Sequence, residues 1–187
     1  LNMYENYSFW HTFWTALGYS VQLSPRSSRS IYELGAETMP SESVCYPAKL
    51  THGHIMALLQ QGIHTIFYPC LPYEQDEKRG GDNHYNCPVV GTYPEVLRNN
   101  MPQLQDPSIR FISCFLPYDD MSRLAKRLTE ELADMGITAA EIRSALALAK
   151  QADNQYKAEV RAQGEAALAW VHADPSRRGI VLVGRPY

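Results

Sequence analysis

Apolar positions along the chain alternate between helical stripes and short continuous runs. Within Glu5–Leu17, residues Phe9, Trp10, Phe13, Trp14 and Leu17 recur at i, i+1, i+4, i+5 and i+8, a broad aromatic helical face that Gly18 stops. Leu1–Asn2 before it reads as the tail of a strand, and Tyr19–Leu23 after it as a short strand. Ser30-Ile31-Tyr32-Glu33 has the spacing of a capping box and predicts a short helix. Ser41–Cys45 leads into a helix over Tyr46–Gln61, closed by Gly62. Ile63–Tyr68 has the pattern of a buried strand and runs directly into Pro69-Cys70. Glu74–Asn86 is polar, with Gly80-Gly81 and Asp82-Asn83, and reads as a loop. Cys87 follows, then a short helix over Pro94–Asn100, with Pro94 in its first turn. Ile109–Phe115 is a further strand, bearing Cys114 near its end and followed by Pro117.

The rest of the chain is more helical. Asp119 or Asp120 caps a helix ending at Gly136. Thr138-Ala139-Ala140-Glu141 is a second capping box, opening an Ala-rich helix to about His172, where Asp174-Pro175 stops it. Gly179–Gly184 is a final strand. Strands alternating with helices predict an α/β fold with a mainly parallel sheet and helices on both faces. The two helices between Asp120 and His172 interrupt that rhythm. The expected organisation is a cysteine-bearing α/β lobe over 1–118, a helical connection over 119–174, and the first strand of a second lobe over 175–187. A start at Leu1 and an end on a strand suggest a piece cut from a longer chain. Cys70-Leu-Pro-Tyr-Glu74 echoes Cys114-Phe-Leu-Pro-Tyr-Asp119 with one residue inserted; the plainer reading is two similar exits from a sheet.

Composition narrows the function classes. A chain of 187 residues is long enough for a sizeable core. Its net charge of −3, with no Lys/Arg stripe, carries no footprint for nucleic acid. No run approaches the length of a membrane helix, and the opening LNMYENY has neither the basic nor the apolar region of a signal peptide. The cytoplasm is the expected compartment. There, four cysteines are ligands, nucleophiles or core residues more often than disulfides.

No CxxC pair exists among Cys45, Cys70, Cys87 and Cys114, which argues against a zinc ribbon or a ferredoxin-type run. Their shared property is position. Cys45 and Cys87 precede helices, while Cys70 and Cys114 end strands. In an open parallel sheet, strand C-termini and helix N-termini share the edge where ligands bind, and helix N-termini favour thiolate. The competing reading of a lone strand cysteine is a small buried hydrophobe, and it is strongest for Cys114 within Phe111–Phe115. Lys49, one turn after Cys45, is a candidate to balance thiolate charge, against the commoner exposed lysine. His84, in the polar loop near Cys87, is a candidate fourth ligand or proton donor, against an ordinary loop histidine. His52 and His54 are two apart on a helix and point apart, one packed and one solvated. Walker A, GxGxxG, GxSxG and Ser/His/Asp patterns are absent from the sequence.

Leu1-Asn-Met-Tyr-Glu-Asn-Tyr7 with the aromatic helix, Ser43-Val-Cys-Tyr-Pro-Ala-Lys49, Phe67-Tyr-Pro-Cys70, Asn86-Cys-Pro-Val-Val-Gly91 and the closing Gly179-Ile-Val-Leu-Val-Gly-Arg-Pro-Tyr187 together resemble a known domain. It is the domain of unknown function found in large proteins related to the activators of 2-hydroxyacyl-CoA dehydratases. The resemblance covers nearly the whole chain. It implies Rossmann-like lobes similar to dehydratase subunits, attached in one longer chain to ATP-binding activase domains. It also implies an oxygen-sensitive [4Fe–4S] cluster, with Cys45, Cys70 and Cys87 matching the ligand cysteines and Cys114 matching less well. An activator of this kind delivers an electron to such a cluster, which then enables dehydration of an acyl-CoA. The chain shows no ATP-binding glycine loop, so the resemblance makes it the dehydratase-like part, and leaves open whether it is an enzyme, a reductase or an electron-transfer partner.

Three readings follow from the sequence. The first is an iron–sulfur redox component that passes low-potential electrons to an acyl-CoA or a partner dehydratase. The second is a non-catalytic interaction or scaffold domain with core cysteines, and the third a structural zinc-binding domain.

Overall fold

The computed structural model describes residues 2–76 and 83–184. Helix α1 (Tyr7–Ala16) opens the chain. It is followed by α2 (Arg29–Leu34) and α3 (Tyr46–Gln60). Strand β1 (Thr65–Phe67), helix α4 (Pro88–Asn100) and strand β2 (Arg110–Ile112) come next. Helices α5 (Met121–Glu131) and α6 (Ala139–His172) complete the order.

β1 and β2 pair in parallel, with Thr65 opposite Arg110, Ile66 opposite Phe111 and Phe67 opposite Ile112. A bridge between Cys70 and Phe115 continues the pairing beyond both strands. Because side chains alternate across a strand, each register pair faces one way. Ile66 and Phe111 join Ala48, Ile55, Tyr93 and Leu97 in one core, on the side of α3 and α4. Phe67 and Ile112 meet the other core, where Phe9, Trp10, Phe13 and Trp14 of α1 pack with Leu124 and Leu128 of α5 and Ile142 and Leu146 of α6. The result is a helix–sheet–helix sandwich, as the alternation predicted, around a much smaller sheet than expected.

The Rossmann-like sheet is thus corrected to two parallel strands among the described residues. Tyr19–Leu23 forms no strand: Tyr19 sets its ring edge-on to Trp14 at 5.3 Å, and Val21 packs on the α1 core. Packing against the wide aromatic face outweighed ladder formation for this short run. Asn2 lies in a turn whose carbonyl accepts from the amides of Glu5 and Asn6, so the strand tail expected there is also absent at Asn2; Leu1 lies outside the described residues. Gly179–Gly184 forms no strand among the described residues, and the end of the 175–187 segment expected to begin a second lobe, 185–187, lies outside them.

Other boundaries moved for local reasons. The N-cap of α2 is Ser28, not Ser30; its hydroxyl accepts from the amide of Ile31 at 3.2 Å. α4 begins at Pro88, directly after Cys87, rather than at Pro94. Proline at Pro88 suits the first helical position, where the missing amide is of no consequence, and Pro94 is carried inside the helix. Asp120 caps α5 through the amides of Ser122 and Arg123. The Thr138–Glu141 capping box is complete in both directions.

α6 has two distinct halves. Its buried residues are Ile142, Ala145, Leu146, Ala149 and Asp153, packed on α1 and α5. Beyond Asp153 the helix is largely exposed, including Val160, Leu168 and Trp170. Asp153 is the last buried residue of the helix. It is fully buried, accepts from Ser8 Oγ of α1 at 3.0 Å, and pairs with Lys157 Nζ at 2.8 Å. Removing one partner of a buried ion pair strands the other charge. Asp153→Ala is expected to lower unfolding stability by about 2–3 kcal/mol, read as a lower urea midpoint; an unchanged midpoint would show that α1 and α6 are joined by apolar contact alone.

Candidate functional site

Cys70 and Cys114 follow β1 and β2 at their C-terminal ends, and Asn86, directly before Cys87, is bonded to Leu71 and Pro72 beside Cys70. Cys45 is the N-cap of α3 and Cys87 the N-cap of α4. In neither helix does a side chain cap the first turn, and each has a proline at its start. The positive ends of two helices therefore lie beside cysteines.

The backbone brings two of the four directly together. The amide of Cys70 donates to the carbonyl of Cys114 at 3.0 Å. Cys70 is wholly buried and Cys114 partly so. Burial, then the nearby Glu95 carboxylate, pushes the Cys70 thiol up to about 11. Burial, then Glu131, pushes Cys114 up to about 12. Both thiols hold their protons at neutral pH. Cys45 is half-buried against the α3–α4 core and lies close enough to Tyr93 to help raise the phenol, after burial, to about 12. Cys87 is exposed. The chain just before it is tied down: Asn86 donates its backbone amide to Pro72 O and its side chain to Leu71 O, both at 2.8 Å, two residues and one residue past Cys70.

The weaker candidates have ordinary partners. Lys49 Nζ donates to Glu42 O at 3.1 Å and lies over the Tyr32 ring. His84 Nε2 stands 3.8 Å from Asp76, and its carbonyl accepts from Glu74 N. His52 and His54 do point apart. His54 is half-buried and hydrogen-bonded to Ser24 and Ser27 rather than solvated, and His52 lies in the core. The loop expected over Glu74–Asn86 is described only outside 77–82; its two ends pair through Tyr73 and Tyr85, whose hydroxyls meet at 2.5 Å.

Two polar constellations at this edge escaped the sequence reading. Glu74 accepts from Asn6 Nδ2 at 3.1 Å and from Asn86 Nδ2 at 2.7 Å, joining the start of α1 to the segment before α4. Burial raises its carboxyl above the usual range, and the two amides oppose that shift. The second is the chain Thr38–His52–Tyr93. His52 Nδ1 lies 2.8 Å from Thr38 Oγ1, and Nε2 lies 3.0 Å from Tyr93 OH. Neither has a local sequence signal, since each is made of residues brought together from separate elements.

A [4Fe–4S] cluster requires cysteine thiolates converging on one point. Among the described residues, no three His, Cys, Asp or Glu side chains stand together as a metal-holding set. Cys70, buried and protonated, is in the state of a core residue. The placement at one sheet edge suits the cluster; the side-chain arrangement in this conformation does not fit it.

Comparison with known families matches residues 1–187 to the CoA enzyme activase uncharacterised domain (DUF2229). The chain belongs to this family. The resemblance read from the cysteine motifs and the aromatic helix is thereby established over the whole chain. Searches of curated proteins and of solved structures gave no match. Among the described residues, no helix of this family member is long and apolar enough to cross a membrane.

Proposed function

We propose that this member of the CoA enzyme activase family is a cytoplasmic redox component that takes part in low-potential electron transfer to an acyl-CoA or a partner dehydratase, working with ATP-binding activase domains of the same longer chain. In this reading Cys45, Cys70 and Cys87 bind a [4Fe–4S] cluster, with Cys114 as a neighbour of lesser weight. What supports it is that Cys70 and Cys114 leave the two parallel strands at one edge, that Asn86 beside Cys87 is bonded to Leu71 and Pro72, and that Cys45 and Cys87 each stand at a helix start that no side chain caps. Such a cluster would supply one-electron chemistry when bound. Loading it requires side-chain movement, above all of the exposed Cys87, and deprotonation of Cys70.

A second reading is favoured by a different observation. Cys70 is buried and Cys114 partly buried, and both are protonated and hydrogen-bonded through their backbones into the sheet. This is what a non-catalytic scaffold with core cysteines would show.

Anaerobic iron and sulfide analysis of the full-length protein separates these readings. The cluster reading expects a brown protein absorbing near about 400 nm. It also expects several-fold loss of bound iron in Cys45→Ala, Cys70→Ala and Cys87→Ala, and a smaller loss in Cys114→Ala. Stoichiometric zinc in a colourless protein would instead indicate a structural metal site. No metal, with thiols slow toward alkylating reagents, would establish the scaffold reading.

A further inference from the structure

Cys87 is exposed, yet the chain on both sides of it is seated on the segment that leaves β1. Tyr73 and Tyr85 form an antiparallel bridge. Around it, Glu74 N donates to His84 O at 2.9 Å and Asn86 N donates to Pro72 O at 2.8 Å. Partners in an antiparallel pair run in opposite senses, so this register, carried one residue past Asn86 and Pro72, sets Cys87 across from Leu71. Leu71 is fully buried in the α1 core and follows Cys70 directly. On its other side Cys87 opens α4, and Gly91, one turn on, faces the same segment. An added Cβ at Gly91 would lie 3.3 Å from Pro72 Cα and 3.5 Å from Leu71 O.

The Asn86 side chain joins these contacts to a carboxylate. Its amide nitrogen has two protons to give. One goes to Leu71 O at 2.8 Å and one to Glu74 Oε1 at 2.7 Å. A carbonyl and a carboxylate oxygen only accept, so the nitrogen alone can face them, and the side chain has one orientation. Glu74 is held in turn from the start of α1. Asn6 Nδ2 donates to Oε2 at 3.1 Å and to Oε1 at 3.3 Å, and Asn6 is buried. Bonds to an ionised acceptor are stronger than neutral ones. The other charged groups that act on this carboxylate are Glu5 and Lys157, in opposite senses.

We propose that Glu74 is the positioning residue of Cys87: through Asn86 it clasps the start of α4 to the segment leaving β1, so that Cys87 stays beside Cys70 and departs only when the clasp opens. Three elements meet at this one carboxylate: the turn before α1, the exit from β1 and the entry to α4. Cys87 owes its place to that junction and not to its own packing, since its side chain is exposed. Glu74 holds it there whether the cysteines bind a cluster or belong to a scaffold, so the two questions are answered by different measurements.

A nitroxide spin label on Cys87 of the full-length, metal-free protein tests the clasp, with a Cys87→Ser control to isolate its signal. In wild type the label is expected to be immobilised. Asn86→Asp is nearly isosteric and turns the donor nitrogen into an oxygen facing two acceptors. It is expected to quicken the label about threefold on the nanosecond scale of loop motion. Adding Glu74→Gln supplies a donor opposite the new carboxylate and is expected to restore part of the immobilisation. Leu128→Ala, a cut in the buried core away from Glu74, is expected to lower stability and leave the spectrum unchanged. A freely tumbling label in wild type would overturn the proposal. So would an unchanged Asn86→Asp spectrum in a chain whose circular dichroism is native, a double variant as mobile as Asn86→Asp alone, or a Leu128→Ala label equally mobile. If Asn86→Asp does not fold, Glu74→Ala carries the same test: a quickened label supports the clasp and an unchanged one sinks it.

Discussion

Gly53→Ala is expected to destabilise the protein by about 3 kcal/mol, although alanine is the better helix former by about 1 kcal/mol. Gly53 lies mid-helix in α3, where α2 crosses it, and a Cβ built there overlaps the Ile31 carbonyl oxygen, with Ile31 C at 2.6 Å and Cγ2 at 3.1 Å. The obstacle is backbone, so no side-chain rotation relieves it. Gly35, at the end of α2, meets α3 equally closely: a Cβ there would lie 2.6 Å from His52 C. Two glycines facing each other let the helices approach nearly backbone to backbone, and the small core of Ile31, Leu50 and Ala57 depends on that approach. Gly164 is the control. It is in the exposed half of α6 with open space around it, so Gly164→Ala should raise stability by about 0.5–1 kcal/mol. Urea midpoints of the two variants should move in opposite directions. A stabilising Gly53→Ala would mean that helix propensity outweighs the overlap and that α2 can shift freely.

Acid is expected to remove up to about 3 kcal/mol of stability through His52 alone. The ring is fully buried, and burial lowers its pKa from 6.5 to about 4. The hydrogen bonds specify the neutral form. Thr38 Oγ1 donates its proton to Gly35 O at 3.0 Å and so accepts from His52 Nδ1–H, leaving Nε2 to accept from Tyr93 OH. Above pH 6.5 the folded and unfolded states both hold a neutral ring, and the stabilisation is complete. Between pH 6.5 and about 4 the unfolded chain takes up a proton that the folded chain refuses, so stability falls as pH falls. Below about 4 both states are charged and the loss levels off. His52→Gln should give a visibly flatter stability–pH curve over that window. Parallel curves for wild type and variant would show that His52 titrates alike in both states.

Of the candidate site, the places of the cysteines at element ends were legible and their contacts were not. A cysteine before a helical stripe and another after an apolar run place themselves at such ends, and parallel pairing brings Cys70 and Cys114 to one edge. Which sulfurs approach one another depends on side-chain direction and on how deeply each strand end is buried, and neither has a local signature. Cys70 and the partly buried Cys114 became neighbours because the ladder continues past β2 to the Cys70–Phe115 bridge. Lys49 is bonded to Glu42 O and His84 stands near Asp76, and neither partner has a local signature either.

By itself the sequence determined the elements that local physics specifies. The Asp120 cap and the Thr138–Glu141 capping box placed α5 and α6, because caps satisfy amides within a few residues of themselves. The i, i+4 aromatic stripe placed α1 and its buried face. Tertiary structure alone decided what depends on distant partners. Tyr19–Leu23 has the pattern of a strand, and it became coil because the α1 indoles offered its side chains a better surface than a third strand would have. Gly53 reads as a weak point in a helix, and it is the contact on which α2 is seated. His52 reads as half of a His-x-His pair. The crossing of α3 and α4 joins it instead to Tyr93, 41 residues away, and a buried ring with both nitrogens already engaged has no lone pair left for a metal.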